Sequence, residues 1–403
     1  MSVVRPSTQA ATQAPAPSQG AEPVQGFVLA AGFGQRMLPI TETIPKPLLP
    51  IGHVPLIGYS LRLLAHHGIH DVIVNSHHLH KALAQGLKDG SQFGVKVIYS
   101  HEEEILGTGG GVKKMHDHIH STLVLINSDT VCDVDLTQVI AEHRRRRALA
   151  TMVLRHDPQH EEGGRIGMTD DGRIVRVPGQ SDGHGHAGGH VGGHAGEHAS
   201  GHEAGKPFMF TGIHVLEPRF LEYLPPDVHT CIIRYGYVKA LANKEAVYGT
   251  VMPGYWADAG TPQRYWQVTE DILSQKVRLP HVDGLGGYAI APRRDVAEVV
   301  RMGSDVDLGA HANILPPVLL GDGSRIGEGA TVGPGVVLGD KVHIGRDAVV
   351  THCVLLEGAR IEAGAHVHHM LMGKKESLRL FDAHASTGDA AGPAASSGSK
   401  TSR

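Results

Sequence analysis

Phe27 to Pro50 reads FVLAAGFGQRMLPITETIPKPLLP, and the order of its parts decides the fold. The apolar run Phe27-Val28-Leu29-Ala30-Ala31 has the length and composition of a buried strand. It breaks into Gly32-Phe33-Gly34. A strand that ends on glycines leaves backbone N–H groups bare and lets a ligand approach closely. Arg36 follows, then Lys46 between two prolines. Bare amides with one guanidinium and one ammonium are the parts of a polyphosphate cradle. Taken alone, two glycines and two charges also fit a tight βα turn with solvated ends, so the rest of the chain has to decide.

Outward from that stretch the pattern alternates. Leu56 to His67 has apolar residues at helical spacing and stops at Gly68; Asp71 to Asn75 reads as a short strand, His80 to Gly86 as helix, Val95 to Tyr99 and Thr122 to Asn127 as strands. Strands alternating with helices imply βαβ units, so the expected fold class is α/β, a Rossmann-like, mainly parallel sheet with helices on both faces. Ligands of such sheets sit beyond the carboxyl ends of the strands. Gly32, Gly34 and Asp129 all lie at such ends and can share one site. A carboxylate there suits Mg2+, which takes few carboxylates plus substrate phosphates. Between them, Leu106-Gly107-Thr108-Gly109-Gly110-Gly111 precedes a helical segment from Val112 to His116. These glycines are expected to allow backbone approach to a ligand.

Composition bounds the function. The chain has 403 residues and a formal net charge of -4, which suggests two or three domains and gives no nucleic-acid signature. Cys132, Cys231 and Cys353 are far apart, against a disulfide framework or structural zinc and in keeping with a reducing cytoplasm. No apolar run approaches the roughly 20 residues of a membrane helix, and the start lacks a signal-peptide pattern. Residues 1–25, rich in Ala, Pro, Ser and Gln, and the C-terminal tail within 374–403 read as mostly disordered. Arg144 to Arg147 read as the solvated end of a helix rather than a nucleic-acid patch.

Farther along, Arg165-Ile166-Gly167-Met168 and Arg173 to Val177 flank Asp170-Asp171-Gly172 as a hairpin. Residues 181–205 hold six histidines, the last five spaced four apart among Gly and Ala. Glycine at that density opposes helix, so the insert reads as a disordered, weakly metal-binding loop. Phe208 to Leu216 is a strand, 231–243 a helix, and Ala246 to Val251 a strand. Thr261 and Pro262 form a helix start. From Ile314, apolar residues recur every six positions: Leu320, Ile326, Val332, Leu338, Ile344, Val350 and Leu356. Glycine follows five of these eight positions directly. That period describes a hexapeptide β-helix of about three coils, its register slipping near Arg360-Ile361 and Met370 to Leu380 capping it. The domains are therefore 26–275, a linker 276–313, and the β-helix 314–373.

The opening stretch resembles a family signature, LAAGxGxRMxPxT followed by PKPLLP, of the sugar-1-phosphate nucleotidyltransferases (NDP-sugar pyrophosphorylases). Leu38 departs where many relatives are basic. LGTGGG is similar to the family's LGTAG loop. Asn127-Ser128-Asp129 stands where relatives carry Gly-Asp, and Trp256-Ala257-Asp258-Ala259-Gly260-Thr261-Pro262 resembles WxDxGTP. The resemblance implies nucleotide contacts from Leu29, Ala30, Ala31, Gly32, Gly34, Gly107 and Thr108. It implies catalytic roles for Arg36, Lys46, Asp129 and Asp258, with both carboxylates holding Mg2+. Sugar contacts are implied at Gly167, Thr211 and Gly212. A lysine that relatives place after the hairpin has no counterpart here. The implied reaction is NTP plus sugar-1-phosphate giving NDP-sugar plus pyrophosphate in the cytoplasm. The β-helix, left-handed in this family, is expected to mediate homo-oligomer assembly or regulation. The form with a β-helix tail resembles mannose-1-phosphate guanylyltransferases that use GTP. GTGGG and SQFGVKVIYSHE are also similar to uridylyltransferases of N-acetylmuramate-1-phosphate, and glucose-1-phosphate with UTP or a thymidine nucleotide is a further alternative. Outside this class stand a non-catalytic regulatory homologue and a β-helix acyltransferase.

Overall fold

The computed structural model describes residues 22–156, 166–179, 205–282, 289–290 and 300–381. The expectations for residues 1–21, for nearly all of the His-rich insert and for residues 382–403 lie outside the described residues. The first unit is an α/β sheet. Its elements are β1 (Val24–Leu29), α1 (Leu56–His66), β2 (Asp71–Ser76), α2 (His80–Leu87), β3 (Lys96–His101), α3 (Gly107–Lys114), β4 (Thr122–Asn127), β5 (Thr130–Cys132), α4 (Leu136–Arg145), β6 (Ala150–Arg155), β7 (Ile166–Met168), β8 (Ile174–Arg176), β9 (Lys206–Leu216), α5 (Val238–Ala242), β10 (Val247–Val251), β11 (Trp256–Asp258) and α6 (Pro262–Leu273). The strand at Val24 begins inside the segment assigned to the tail, because Val24 and Gln25 pair with Thr122 and Leu123.

The sheet runs β8-β7-β9-β4-β1-β2-β3, with β6 beside β9 and β10 beside β6. The β1–β4, β1–β2, β2–β3 and β6–β10 pairs are parallel, and β9 runs antiparallel to its neighbours. Consecutive residues of β1 bury opposite faces. Phe27 joins one core with Leu125 and Met152, and Val28 joins the other with Val74 and Ile126. A strand covered on both faces needs a continuous apolar run, as FVLAA supplies. Leu29 lies abreast of Asn75 on one side and Asn127 on the other. Three strand ends therefore stand side by side at one edge of the sheet.

Residues from Val300 onward form a parallel β-helix. Three parallel sheets stack coil on coil, exemplified by Val300–Met302, Val318–Leu320, Val336–Leu338, Cys353–Leu355 and Met370–Met372 on one face. The first coil includes residues the hexad count gave to the linker, since Asp307–Leu308 and Asn313–Ile314 pair as rungs too. The six-residue period continues back through Leu308 and Met302, each followed by glycine, so the count begun at Ile314 started one coil late. The register slip also lies earlier than Arg360-Ile361. Val336 pairs Val318, eighteen residues back, but Cys353 pairs Val336, seventeen residues back. One residue is missing from the corner at Thr351-His352. Leu355 therefore takes the interior position, and Leu356 packs outside it. Ser377–Arg379 pairs antiparallel with the last rung, within the Met370 to Leu380 segment expected as a cap and overlapping the start of the segment expected as tail.

One face of the β-helix buries both its sides. Leu319, Val337, Val354 and Leu371 point away from the solenoid interior, into a cluster with Leu49, Tyr59, Trp266 and Ile272. The sequence carries the sign: this face reads VLL, VVL, CVL and MLM, three apolar residues in a row. Helix α6 is the shared wall. Leu319→Ala should lower the stability of the joined unit by about 3 kcal/mol, read as a lower unfolding temperature of sheet and β-helix together. His53, at the same junction, is held neutral: burial lowers its pKa to about 4, partly opposed by Asp340 and Asp322. Burial likewise lowers His214 and His281 to about 3. The unfolded chain takes up protons on these rings near pH 6.5, above their folded pKa values. Their stabilisation is therefore present above that pH and lost as pH falls toward 4. The unfolding temperature at pH 5 should lie below that at pH 7.5.

Candidate active site

At the shared strand edge lies a cavity of about 570 Å³. Leu29, Ala30, Ala31, Gly32, Gly34 and Arg36 line one side. Lys46, Asp129, Gly107 and Thr108 line the rest. Ten residues expected from sequence thus meet at one site. After β1 the chain enters a loop and then a 3-10 turn, Gln35–Met37, with Gly34 at φ 67° before it. A Cβ on Gly34 would also crowd Thr41 and Lys46, so this glycine is required twice over. Gly32 differs: a Cβ there would meet nothing within 4 Å. Its face is open toward the cavity. Among the described residues, the amides from Ala31 to Gly34 donate to no protein acceptor. They are free for an anion.

The charged groups are arranged in pairs. Lys46 Nζ lies 2.5 Å from Asp129 Oδ2. Asp258 does not line the cavity, though Gly260 does. Asp258 Oδ1 accepts from the Gly260 amide, and Oδ2 accepts from Arg264 Nη1 at 2.6 Å. Pairing of β5 with β11 brings the two residues to adjacent backbone segments: Asp258 pairs Thr130, and the Ala259 amide donates to the Asp129 carbonyl. The Arg36 guanidinium reaches over Gly260, where an added Cβ would stand 3.1 Å from Nη2. Arg36 makes no ion pair among the described residues.

The second glycine loop is built for packing as well as for a ligand. Helix α3 starts at Gly107, ahead of the Val112 start expected from sequence. A Cβ on Gly110 would stand 2.5 Å from the Val228 carbonyl oxygen, and one on Gly111 would meet Glu102 and Asn75. The backbone that approaches these glycines is the segment 228–232. The Gly109 amide donates to Thr230 O, the Thr230 amide to Leu106 O, and the Ile232 amide to Thr108 Oγ1. Only Gly107 and Thr108 of this loop line the cavity. The expectation that all these glycines face a ligand is therefore corrected for Gly109, Gly110 and Gly111.

Sequence reasoning missed the polar pair that ties the two loops together. Asn75 Oδ1 accepts from the Ala30 amide at 2.7 Å, and Asn75 Nδ2 donates to Glu102 Oε1 at 2.7 Å. Glu102 Oε2 accepts from the Leu106 amide, and the side chain is fully buried. Its position before LGTGGG was visible, its burial was not. Glu102→Ala leaves Asn75 and the Leu106 amide unsatisfied. It should cost about 2–3 kcal/mol and raise the nucleotide KM, checked by unfolding and by steady-state kinetics.

The residues expected to contact sugar are not among those that line the cavity. Thr211 spends its hydroxyl on Val153 O, and its carbonyl accepts from Trp256 Nε1. Gly212, at φ 84°, backs onto Asn127, which does line the cavity. Gly167 sits in the β8–β7–β9 edge, paired with Arg176 and Pro207. Arg145 and Arg146 pair with Glu142 at the end of α4, the solvated helix end expected of that basic run. The three cysteines form no disulfide. Among the described residues no helix is long and apolar enough to cross a membrane, and no three His, Cys, Asp or Glu gather as a metal cage.

Residues 25–275 match the nucleotidyl transferase family, and residues 314–381 match the GMPPB C-terminal domain. A UTP–glucose-1-phosphate uridylyltransferase of Synechocystis sp. is 29% identical over 85% of this chain and 86% of its own length. Mannose-1-phosphate guanylyltransferases of Mycobacterium tuberculosis and Yarrowia lipolytica are 26% and 27% identical, over 66% and 62% of this chain and 68% and 64% of theirs. A Bacillus anthracis structure assigned as a glucose-1-phosphate thymidylyltransferase shares the fold. Its TM-score is 0.51 at 20% identity, covering 64% of this chain and 97% of that one.

Proposed function

The chain belongs to the nucleotidyl transferase family and is a sugar-1-phosphate nucleotidyltransferase; from that premise we propose that it makes GDP-mannose from GTP and mannose-1-phosphate. The observation that carries the choice is the match of residues 314–381 to the GMPPB C-terminal domain, alongside the guanylyltransferase relatives. A second reading, UTP with glucose-1-phosphate, is favoured by the Synechocystis relative, whose likeness spans both units of the chain.

The proposed chemistry uses the groups already described. A sugar phosphate oxygen attacks the α-phosphorus in line. It is ionised at neutral pH, so the reaction needs no general base, and catalysis is positioning plus charge neutralisation. Arg36, Lys46 and the free amides from Ala31 to Gly34 hold the departing pyrophosphate. Gly32 leaves room for the phosphates, since nothing occupies the place of its Cβ. Asp129, in the turn just before β5, and Asp258, at the end of β11, are hard oxygen donors and fit a divalent cation; we assign Mg2+ to them. Such a cation would neutralise charge on the phosphate oxygens. Cytoplasmic location and assembly through the β-helix are part of the same proposal. The test is a matrix of GTP, UTP, ATP, CTP and dTTP against mannose-, glucose- and N-acetylmuramate-1-phosphate, reading pyrophosphate. Highest kcat/KM with GTP and mannose-1-phosphate is the expected result, and the highest value with UTP and glucose-1-phosphate selects the second reading.

A further inference from the structure

Both carboxylates assigned to the metal are already neutralised by side chains of the protein itself. Lys46 holds Asp129, and Arg264 holds Asp258. Lys46 has a second use, because it lines the triphosphate cavity. Arg264 has none that the reaction requires. It stands in the first turn of α6, with its amide on the capping Thr261 hydroxyl and its side chain half exposed. Arg36 lies beside the same loop, over Gly260. Two negative charges therefore face three positive ones before any substrate arrives. Adding a dication to that balance is unfavourable, whereas a triphosphate reverses the sign and competes for the cations.

We infer that Arg264 is an internal counter-ion that occupies Asp258 in the substrate-free protein and weakens divalent-metal binding until nucleotide is present. Arg264 is a positioning residue: it touches a proposed ligand carboxylate, not the reacting atoms. Lys46 does the same for Asp129 and is drawn off by the phosphates. The cation then enters the site with the nucleotide rather than ahead of it. The inference rests on the metal assignment above.

The experiment titrates the full chain with Mn2+ in the absence of nucleotide, following free Mn2+ by its electron paramagnetic resonance signal. Arg264→Gln should bind Mn2+ about five- to tenfold more tightly than wild type, the range expected from releasing a partly exposed ion pair. Arg264→Lys keeps the charge and should stay close to wild type, which separates charge from packing. Adding Asp258→Asn to Arg264→Gln should abolish the gain. Near-ultraviolet circular dichroism identifies any misfolded variant, and Lys46→Met, which should also tighten Mn2+ binding, supplies an independent readout. Unchanged Mn2+ affinity in folded Arg264→Gln overturns the counter-ion role while leaving the metal assignment standing. A gain that survives Asp258→Asn overturns both.

Discussion

Asp129→Asn is expected to lower turnover by about a hundred- to a thousandfold at saturating substrates, the range seen when one preorganised charge-stabilising group is removed. The substitution is nearly isosteric. It removes the charge that faces Lys46 and the proposed metal ligand, but no buried contact, because the side chain is about a quarter exposed. Its ion pair with Lys46 is partly screened, so the stability change should stay within about 1 kcal/mol. The unfolding temperature should therefore hardly move while turnover collapses. Single-turnover kinetics place the loss: the defect should lie in the chemical step, with nucleotide affinity kept or raised, since the freed Lys46 remains for the phosphates. Turnover within threefold of wild type at saturating Mg2+ would show that Asp129 is not a metal ligand in this chain.

How much of this was legible beforehand varies with the kind of information each feature needs. The alternation of strand and helix, and the six-residue period, are local and repeated, so the α/β unit and the β-helix stand out from sequence. The slip at Thr351-His352 was misplaced for a definable reason. Leu355 and Leu356 are both apolar, so a count of apolar positions cannot tell which one faces inward. The face that docks on α6 does carry a sign, three consecutive apolar residues per coil, but reading it requires knowing that the other faces show fewer. Asn75 and Glu102 lie twenty-seven residues apart and are unremarkable singly; only pairing across β2 and β3 makes them a unit. Asp258 and Arg264 are close in sequence, yet their pairing depends on the cap at Thr261 fixing the first turn of α6. The glycines of the second loop show the general difficulty. A glycine says that something approaches its backbone, not whether that something is a ligand or another stretch of the same chain.

That ambiguity gives the second large effect, on stability rather than chemistry. Gly110→Val would place its Cβ 2.5 Å from the Val228 carbonyl oxygen and 2.9 Å from Leu106 Cβ. The nearest group is backbone, so no rotamer change relieves the clash, and the segment 228–232 must move away from α3. Moving it breaks the hydrogen bonds of Gly109 with Thr230, of Thr230 with Leu106 and of Ile232 with Thr108. Overpacking costs about 1–3 kcal/mol, and each of the three lost bonds about 1 kcal/mol more, so a fall of about 4–6 kcal/mol is expected. The same bonds hold Gly107 and Thr108 against the cavity, so the nucleotide KM should rise in whatever fraction stays folded. Gly32→Ala is the control. Its Cβ meets no protein atom, so its unfolding temperature should match wild type, and any rise in KM reports crowding of the nucleotide itself. Equal destabilisation by the two substitutions would refute the division of labour between the loops, in which the first glycines make room for phosphate and the second make room for the chain.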